Sequence, residues 1–199
     1  MIMNIKCGNC GVFSYDIDIC SKCEKVIQID DKMVVYKDTS LENIENKITF
    51  FNILDITELE AFSNEILLLK CNQKQEKFHP DKHTLASQDE KLTAIHRASI
   101  CNIAFITLSN FVSRVEYILQ IHKIEEVVDN SIINYLFIMN TKLEESNNEE
   151  IAEITKEIES KIISLMNSIT QTITLLQYNN VSKYLIELRY LIKMKKKCT

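Results

Sequence analysis

The stretch KCNQKQEKFHPDKH, residues 70–83, contains the single proline of the chain. With one Pro and two Gly in 199 residues, helix runs wherever side-chain periodicity supports it, and a break has to be forced. Pro80 forces one. Its ring cannot continue the hydrogen-bond ladder, and it biases Phe78 and His79 away from helix. Before the break, Lys70, Lys74 and Lys77 recur at helical spacing and form a basic stripe. The pattern predicts a basic helix that stops at His79-Pro80-Asp81, with a second helix after it.

Working outward, Thr57-x-x-Glu60 has the spacing of a capping box and predicts a helix over Thr57–Lys77. Leu59, Phe62, Ile66 and Leu69 are its expected buried face, with the lysines to the side. A polar break from Thr84 to Asp89 leads into a helix from about Gln88 to Leu108. Its stripe is Ala94, Ala98, Cys101, Phe105 and Leu108, and the small residues there allow close approach to the preceding helix. Thr49 to Leu54 reads as a short apolar helix followed by a turn at Asp55.

Four of the seven cysteines are paired as Cys7-x-x-Cys10 and Cys20-x-x-Cys23. Two such pairs match a tetrahedral thiolate zinc site, each pair supplying two ligands from one tight turn. Both glycines, Gly8 and Gly11, lie in or beside the first turn, where a knuckle calls for positive φ. The segment is too small to bury a core, so metal binding supplies its folding energy. A four-thiolate site is coordinatively closed, which makes the zinc structural; a redox C-x-x-C fits less well without a βαβ pattern around it. Cys71, Cys101 and Cys198 read as packed or free thiols, Cys101 within the helical core stripe. Gln28 to Lys37 is either a short strand or an extended linker, and Asp38-Thr39-Ser40 offers N-cap side chains before a segment to Asn46 that reads equally well as loop.

The remainder is helical by pattern. Ile132, Ile133, Leu136 and Met139 form one apolar face, ended by the acidic stretch Glu144–Glu150. Ile151, Ile154, Ile158, Ile162, Leu165, Ile169, Ile173 and Leu176 mark a long helix of period about 3.6. A last helix carries Val181, Leu185, Leu188, Leu191 and Ile192, with Lys193 to Lys197 following to complement its C-terminus. Three such helices pack as a small bundle.

A formal charge of −5, and no stacking aromatics around Cys7–Cys23, argue against a nucleic-acid binder. No apolar run approaches the roughly 20 residues that span a bilayer. MIMNIK is too short before Cys7 for a secretory signal and lacks the Arg and length of a transit peptide, so location stays open. No nucleophilic triad, phosphate-cradling loop or paired-carboxylate signature is present, so the expectation is not an enzyme. His79 and His83 are four apart, but Pro80 between them argues against a metal pair; His96 and His122 read as surface residues without partners.

Two antiparallel helices joined by His79-Pro80-Asp81, with a short helix in front, resemble the J domain of DnaK-type chaperone partners. Asn102-Ile103-Ala104-Phe105-Ile106-Thr107-Leu108 is similar to an N-x-A-[FY]-x-T-L stretch of one J-domain subgroup. Ser113-Arg114-Val115-Glu116-Tyr117-Ile118-Leu119, followed by Ile121-His122-Lys123-Ile124, looks like the S-R-x-x-Y-L-L-x-L-x-G-[IV] signature of the HscB family, with Lys123 where that family usually has Gly. HscB proteins are dedicated co-chaperones of iron–sulfur cluster assembly, and eukaryotic members carry an N-terminal double C-x-x-C.

The resemblance implies a mostly α protein with a zinc knuckle at 1–27, a linker at 28–45, a J domain at 46–110 and a C-terminal three-helix bundle at 111–199. It implies that His79, Pro80 and Asp81 dock on the chaperone's ATPase domain and stimulate ATP hydrolysis, with Lys70, Lys74 and Lys77 steering the encounter. The bundle would bind the cluster scaffold protein. Aligning Ile138 to Leu143 with the family's E-[IL]-[NRH]-E-[EK]-L places apolar contacts at Ile133 and Phe137 and acidic positions at Ile138 and Thr141, where the charge is missing, and at Glu145, where it remains. Arg189-Tyr190 resembles the family's R-[FY] pair and adds Tyr190. Ile133 and Phe137 could equally be bundle core. A J-domain co-chaperone with another client and a zinc-knuckle nucleic-acid binder are the rival readings. The family implies a mitochondrion or a related organelle, with cytoplasm also open.

Overall fold

The structure is a computed structural model and describes residues 5–37, 39, 47–127 and 129–198. Asp38, Ser40 and the segment to Asn46 lie outside the described residues, and so does the expectation placed on them. The chain divides into two compact units, Met1–Arg114 and Val115–Thr199. The cysteine knuckle and the helix pair, read separately from the sequence, share the first.

In the first unit β1 (Ile5–Lys6) pairs antiparallel with β2 (Phe13–Ser14), in register Ile5↔Ser14 and Lys6↔Phe13. The Gln28–Lys37 segment is not a strand. It holds a 3-10 turn at Asp31–Met33 and one parallel bridge, Val34↔Ile48. Helix α1 (Phe50–Leu54) opens on a Thr49/Asn52 capping box and ends at Asp55, whose φ of 51° closes it in the left-handed conformation.

Helix α2 (Asn64–Lys77) starts later than the sequence suggested, on the Ser63 side-chain cap. The Thr57–Glu60 capping box exists, but it closes the turn into a separate 3-10 segment, Glu60–Phe62. The buried face also differs. Leu67, Cys71 and Lys74 are buried, with Phe78 just beyond, whereas Leu59 and Leu69 are exposed. The run Ile66-Leu67-Leu68-Leu69 supplies an apolar residue at every phase, and Lys74 interrupts the apolar period that would have marked the true face.

Helix α3 (Gln88–Ser109) begins on a Ser87/Glu90 capping box and buries Ala94, Arg97, Ile100, Cys101, Ala104 and Leu108. Ala98 and Phe105, expected in the core stripe, are only half-buried. Both α1 and α2 pack on α3, and Gln75 Nε2 ties α2 to it by donating to Ala98 O and Asn102 Oδ1, each at 2.9 Å. Arg114, the arginine of the Ser-Arg motif, is buried. Its Nη1 donates to Ala61 O and Leu108 O at 2.7 Å, and its guanidinium lies over the Phe62 and Phe111 rings. Burial pulls its pKa down to about 10. It satisfies carbonyls at the end of α3 and before α2, a local staple for the helix pair.

The unit boundary falls within α4 (Phe111–Ile121), whose Val115, Tyr117, Ile118 and Leu119 are buried. Lys123 then takes φ 56°, and Ile124 N–H closes back on Leu119 O at 2.9 Å. A lysine thus adopts the C-terminal conformation for which glycine is preferred. Helices α5 (Asn130–Glu145), α6 (Asn148–Thr174) and α7 (Tyr178–Cys198) complete the unit, with α7 packed on both α5 and α6. Ile154, Ile158, Leu165, Ile169 and Ile173 face Val181, Leu185, Leu188 and Leu191 in the core. Leu176, counted in the long helix from its period, lies beyond it, exposed and with positive φ. Lys193 to Lys197 lie inside α7, not after it.

Candidate functional site

The four paired cysteines converge. Cys7 and Cys23 Sγ are 3.7 Å apart, Cys10 and Cys20 Sγ 3.5 Å, and all four fall within 4.8 Å of one another. Four thiolates on metal–sulfur bonds of about 2.3 Å would be about 3.8 Å apart, so the donor set fits a closed tetrahedral metal site. The two halves repeat one knuckle. Gly11 N–H donates to Cys7 O and Cys7 N–H to Val12 O; Glu24 N–H donates to Cys20 O and Cys20 N–H to Lys25 O. Each turn ends in positive φ, at Gly11 (74°) and Glu24 (57°). Gly8 does not take that conformation, so one expected glycine role is absent and a glutamate fills the equivalent place in the second knuckle. The Lys25 backbone amide and the Asn9 side chain draw Cys23 down to about 6. Cys10 is pushed up to about 11: the Val12 amide favours its thiolate, but desolvation and the three neighbouring thiols outweigh it.

Asp18, between the two pairs, is the residue that the sequence reading missed. Its buried carboxylate accepts from Lys74 Nζ at 2.6 Å, from Lys77 Nζ at 2.8 Å and from Arg97 Nη2. Lys74 also meets Asp55, and Lys77 reaches Asp16 at 3.8 Å. Burial opposes the charge of Asp18, yet Lys74, Lys77 and Arg97 outweigh it and hold its carboxyl below the ordinary value. In the same way burial opposes the charge of Lys74, but Asp18 and Asp55 raise it above the usual lysine value. Arg97 stacks its guanidinium over Phe78, 5.1 Å from the ring centre. In the folded chain Arg97 and Lys74 each sit in phase with a buried stripe, and a charge there demands a buried counter-ion.

This corrects one expected docking residue. Lys74 is 4% exposed and committed to two carboxylates, so it is not part of a solvated stripe. Lys77 is half-buried against the knuckle, and Lys70 is half-buried with its amine outside this cluster.

The backbone turns sharply at His79. Phe78 is fully buried and caps α2, while Pro80 begins a 3-10 turn over Pro80–His83 with His79 as its N-cap. Asp81 N–H donates to His79 Nδ1 at 3.3 Å, and Lys82 pairs with Glu76 at 3.0 Å. Side chains of His79 and Asp81 are 58% and 87% exposed, so the tip is tethered beneath and open above. His83 Nε2 lies 3.2 Å from Lys77 O, which spends that ring on holding the turn. His96, expected to be without a partner, meets Asp31 at 3.0 Å, and His122 stacks on Tyr178.

In the second unit, Ile133 and Phe137 are not core: they are 48% and 71% exposed. With Tyr190 they line a groove of about 580 Å³ between α5 and α7, floored by Leu136, Ile186 and Met194. Thr141 and Glu145 do not line it. Thr141 Oγ1 donates back to Phe137 O, and Glu145 faces a separate cleft with Glu150, Glu153 and Glu157.

A tetracysteine knuckle joined to an antiparallel helix pair with an exposed His-Pro-Asp turn makes up the first unit, and a helical unit with an apolar groove the second. In fold, the crystal structure of human co-chaperone protein HscB matches at a TM-score of 0.73 over 98% of this chain and 96% of its own, with 21% identity. Chaperone HscB from Vibrio cholerae matches at 0.62 over 76% and 95%, with 18% identity. In sequence, residues 137–199 match the model of the HSCB C-terminal oligomerisation domain. The co-chaperone protein HscB homologs of two Aliivibrio fischeri strains are 36% identical over 74 residues, spanning 37% of this chain and 42% of theirs.

Proposed function

We propose that this chain is an HscB-type J-domain co-chaperone of iron–sulfur cluster assembly. It brings the cluster scaffold protein to a DnaK-type chaperone and stimulates that chaperone's ATPase, and it does so as an adaptor without a catalytic site of its own. The observation that carries the reading is the bend at His79-Pro80-Asp81, exposed at the end of α2 and fixed from beneath by Phe78 and His83. Asp81 offers a charge-assisted acceptor to a partner cation, and Pro80 removes the ordering cost of the loop. Lys70 and Lys77 add positive potential beside it. The scaffold occupies the α5–α7 groove through Ile133, Phe137 and Tyr190. The metal is zinc, held by Cys7, Cys10, Cys20 and Cys23 in a structural role. The chain works in a mitochondrion or a related organelle.

Co-purification tests the whole reading. The tagged chain should retain a DnaK-type chaperone and the scaffold protein; recovery of RNA, or of an unrelated client in place of the scaffold, would replace it. Calorimetry tests the groove: Phe137→Ala with Tyr190→Ala should weaken scaffold binding at least tenfold, the scale expected for two buried aromatic anchors.

A further inference from the structure

The lysines of α7 are treated unequally. Lys183 pairs with Asp129 and Lys195 with Glu159, while Lys161 on α6 pairs with Glu187. Lys193 and Lys197, which line the α5–α7 groove, have no carboxylate partner among the described residues. Lys193 lies over the Tyr190 ring at 5.7 Å, and Lys197 donates only to the Asn140 amide oxygen at 3.3 Å. Arg189 also lines the groove, paired with both Glu116 and Glu126. Among the described residues Glu126 is the only carboxylate in the lining, and it pairs with Arg189. Glu144, one turn along α5, is held by the Asn140 side chain. The groove therefore has an apolar floor and a rim on which two lysines, Lys193 and Lys197, have no carboxylate partner among the described residues.

We propose that the segment seated in this groove presents an apolar side chain together with at least two carboxylates, which meet Lys193 and Lys197. This rests on the scaffold reading above and specifies its chemistry. It inverts the polarity expected from the acidic positions, since Ile138 and Thr141 carry no charge and Glu145 faces another cleft. Positive charge beside the exposed aromatics Phe137 and Tyr190 selects an acidic segment by attraction and rejects a basic one by repulsion.

The test is calorimetric titration of the full chain with the scaffold protein, at low and at physiological salt. Lys193→Glu with Lys197→Glu should weaken binding by about tenfold or more and flatten its salt dependence, and Lys193→Gln with Lys197→Gln should give an intermediate loss. Both pairs lie on exposed positions of α7, and unchanged melting confirms that the fold is retained. Binding that needs Phe137 but is indifferent to, or strengthened by, the glutamate pair overturns the charge assignment alone. No scaffold binding by the unaltered chain overturns the scaffold reading together with it.

Discussion

Asp18 gathers three cations from two helices onto one buried carboxylate, and it lies two residues from Cys20 of the thiol cluster. Asp18→Asn leaves Arg97 buried without a countercharge, and removing one partner from such a cluster costs about 3–5 kcal/mol. Urea unfolding of the first unit should show that loss, with Asp55→Asn far milder because its side chain is exposed. The pH dependence follows from the directions. Asp18 is held below its unfolded value of 3.8, so its contribution is present above that value and drains as pH falls through the lower folded value. Lys74 is raised above 10.5, so its share is present below that value and is lost as pH rises through the higher one. The Asp18→Asn variant should therefore have a flatter acid limb below about pH 4 than the parent chain. At this scale the cysteines were legible, because ligand spacing is local. Asp18 was not, because its partners are 56, 59 and 79 residues away.

Among the elements, breaks were legible, and so were the phases of α6 and α7, whose expected stripes are largely buried, but not the phase of α2. Pro80 and the polar stretches at Thr84–Asp89 and Glu144–Glu150 mark ends by local chemistry, while the one capping spacing read, Thr57–Glu60, closes a turn ahead of α2. The phase of α2 is set by burial of Lys74 and Phe78, which only the neighbouring elements reveal. Likewise the exposure of Ile133 and Phe137 depends on where α7 lies. The positive-φ endings supply a test. Lys123→Gly relieves a left-handed conformation that costs an ordinary residue about 1 kcal/mol, offset in part by the entropy glycine adds to the unfolded chain. A net gain of about 0.5 kcal/mol is expected in the unfolding midpoint of the second unit, with unchanged slope. Gly11→Ala should go the other way, lowering metal affinity of the knuckle by straining φ at 74°.

For the molecule as a whole, the knuckle and the helix pair are one unit, so a metal held by the knuckle would be coupled to the fold. Chelation should lower the melting temperature of the first unit and leave the α5–α7 unit's transition in place, as two calorimetric transitions would report. A single unshifted transition would contradict that coupling. The motif order anticipated the fold, because each piece carries its own signature. The division of charge between an acidic cleft at Glu145 and a basic groove rim at Lys193 and Lys197 needed the packed helices to be seen. The most direct measurement of the central claim is single-turnover ATP hydrolysis by the DnaK-type chaperone with and without this chain. The intact chain should accelerate hydrolysis, and Asp81→Asn, with melting unchanged, should abolish the acceleration; equal stimulation by the variant would contradict a trigger at His79-Pro80-Asp81.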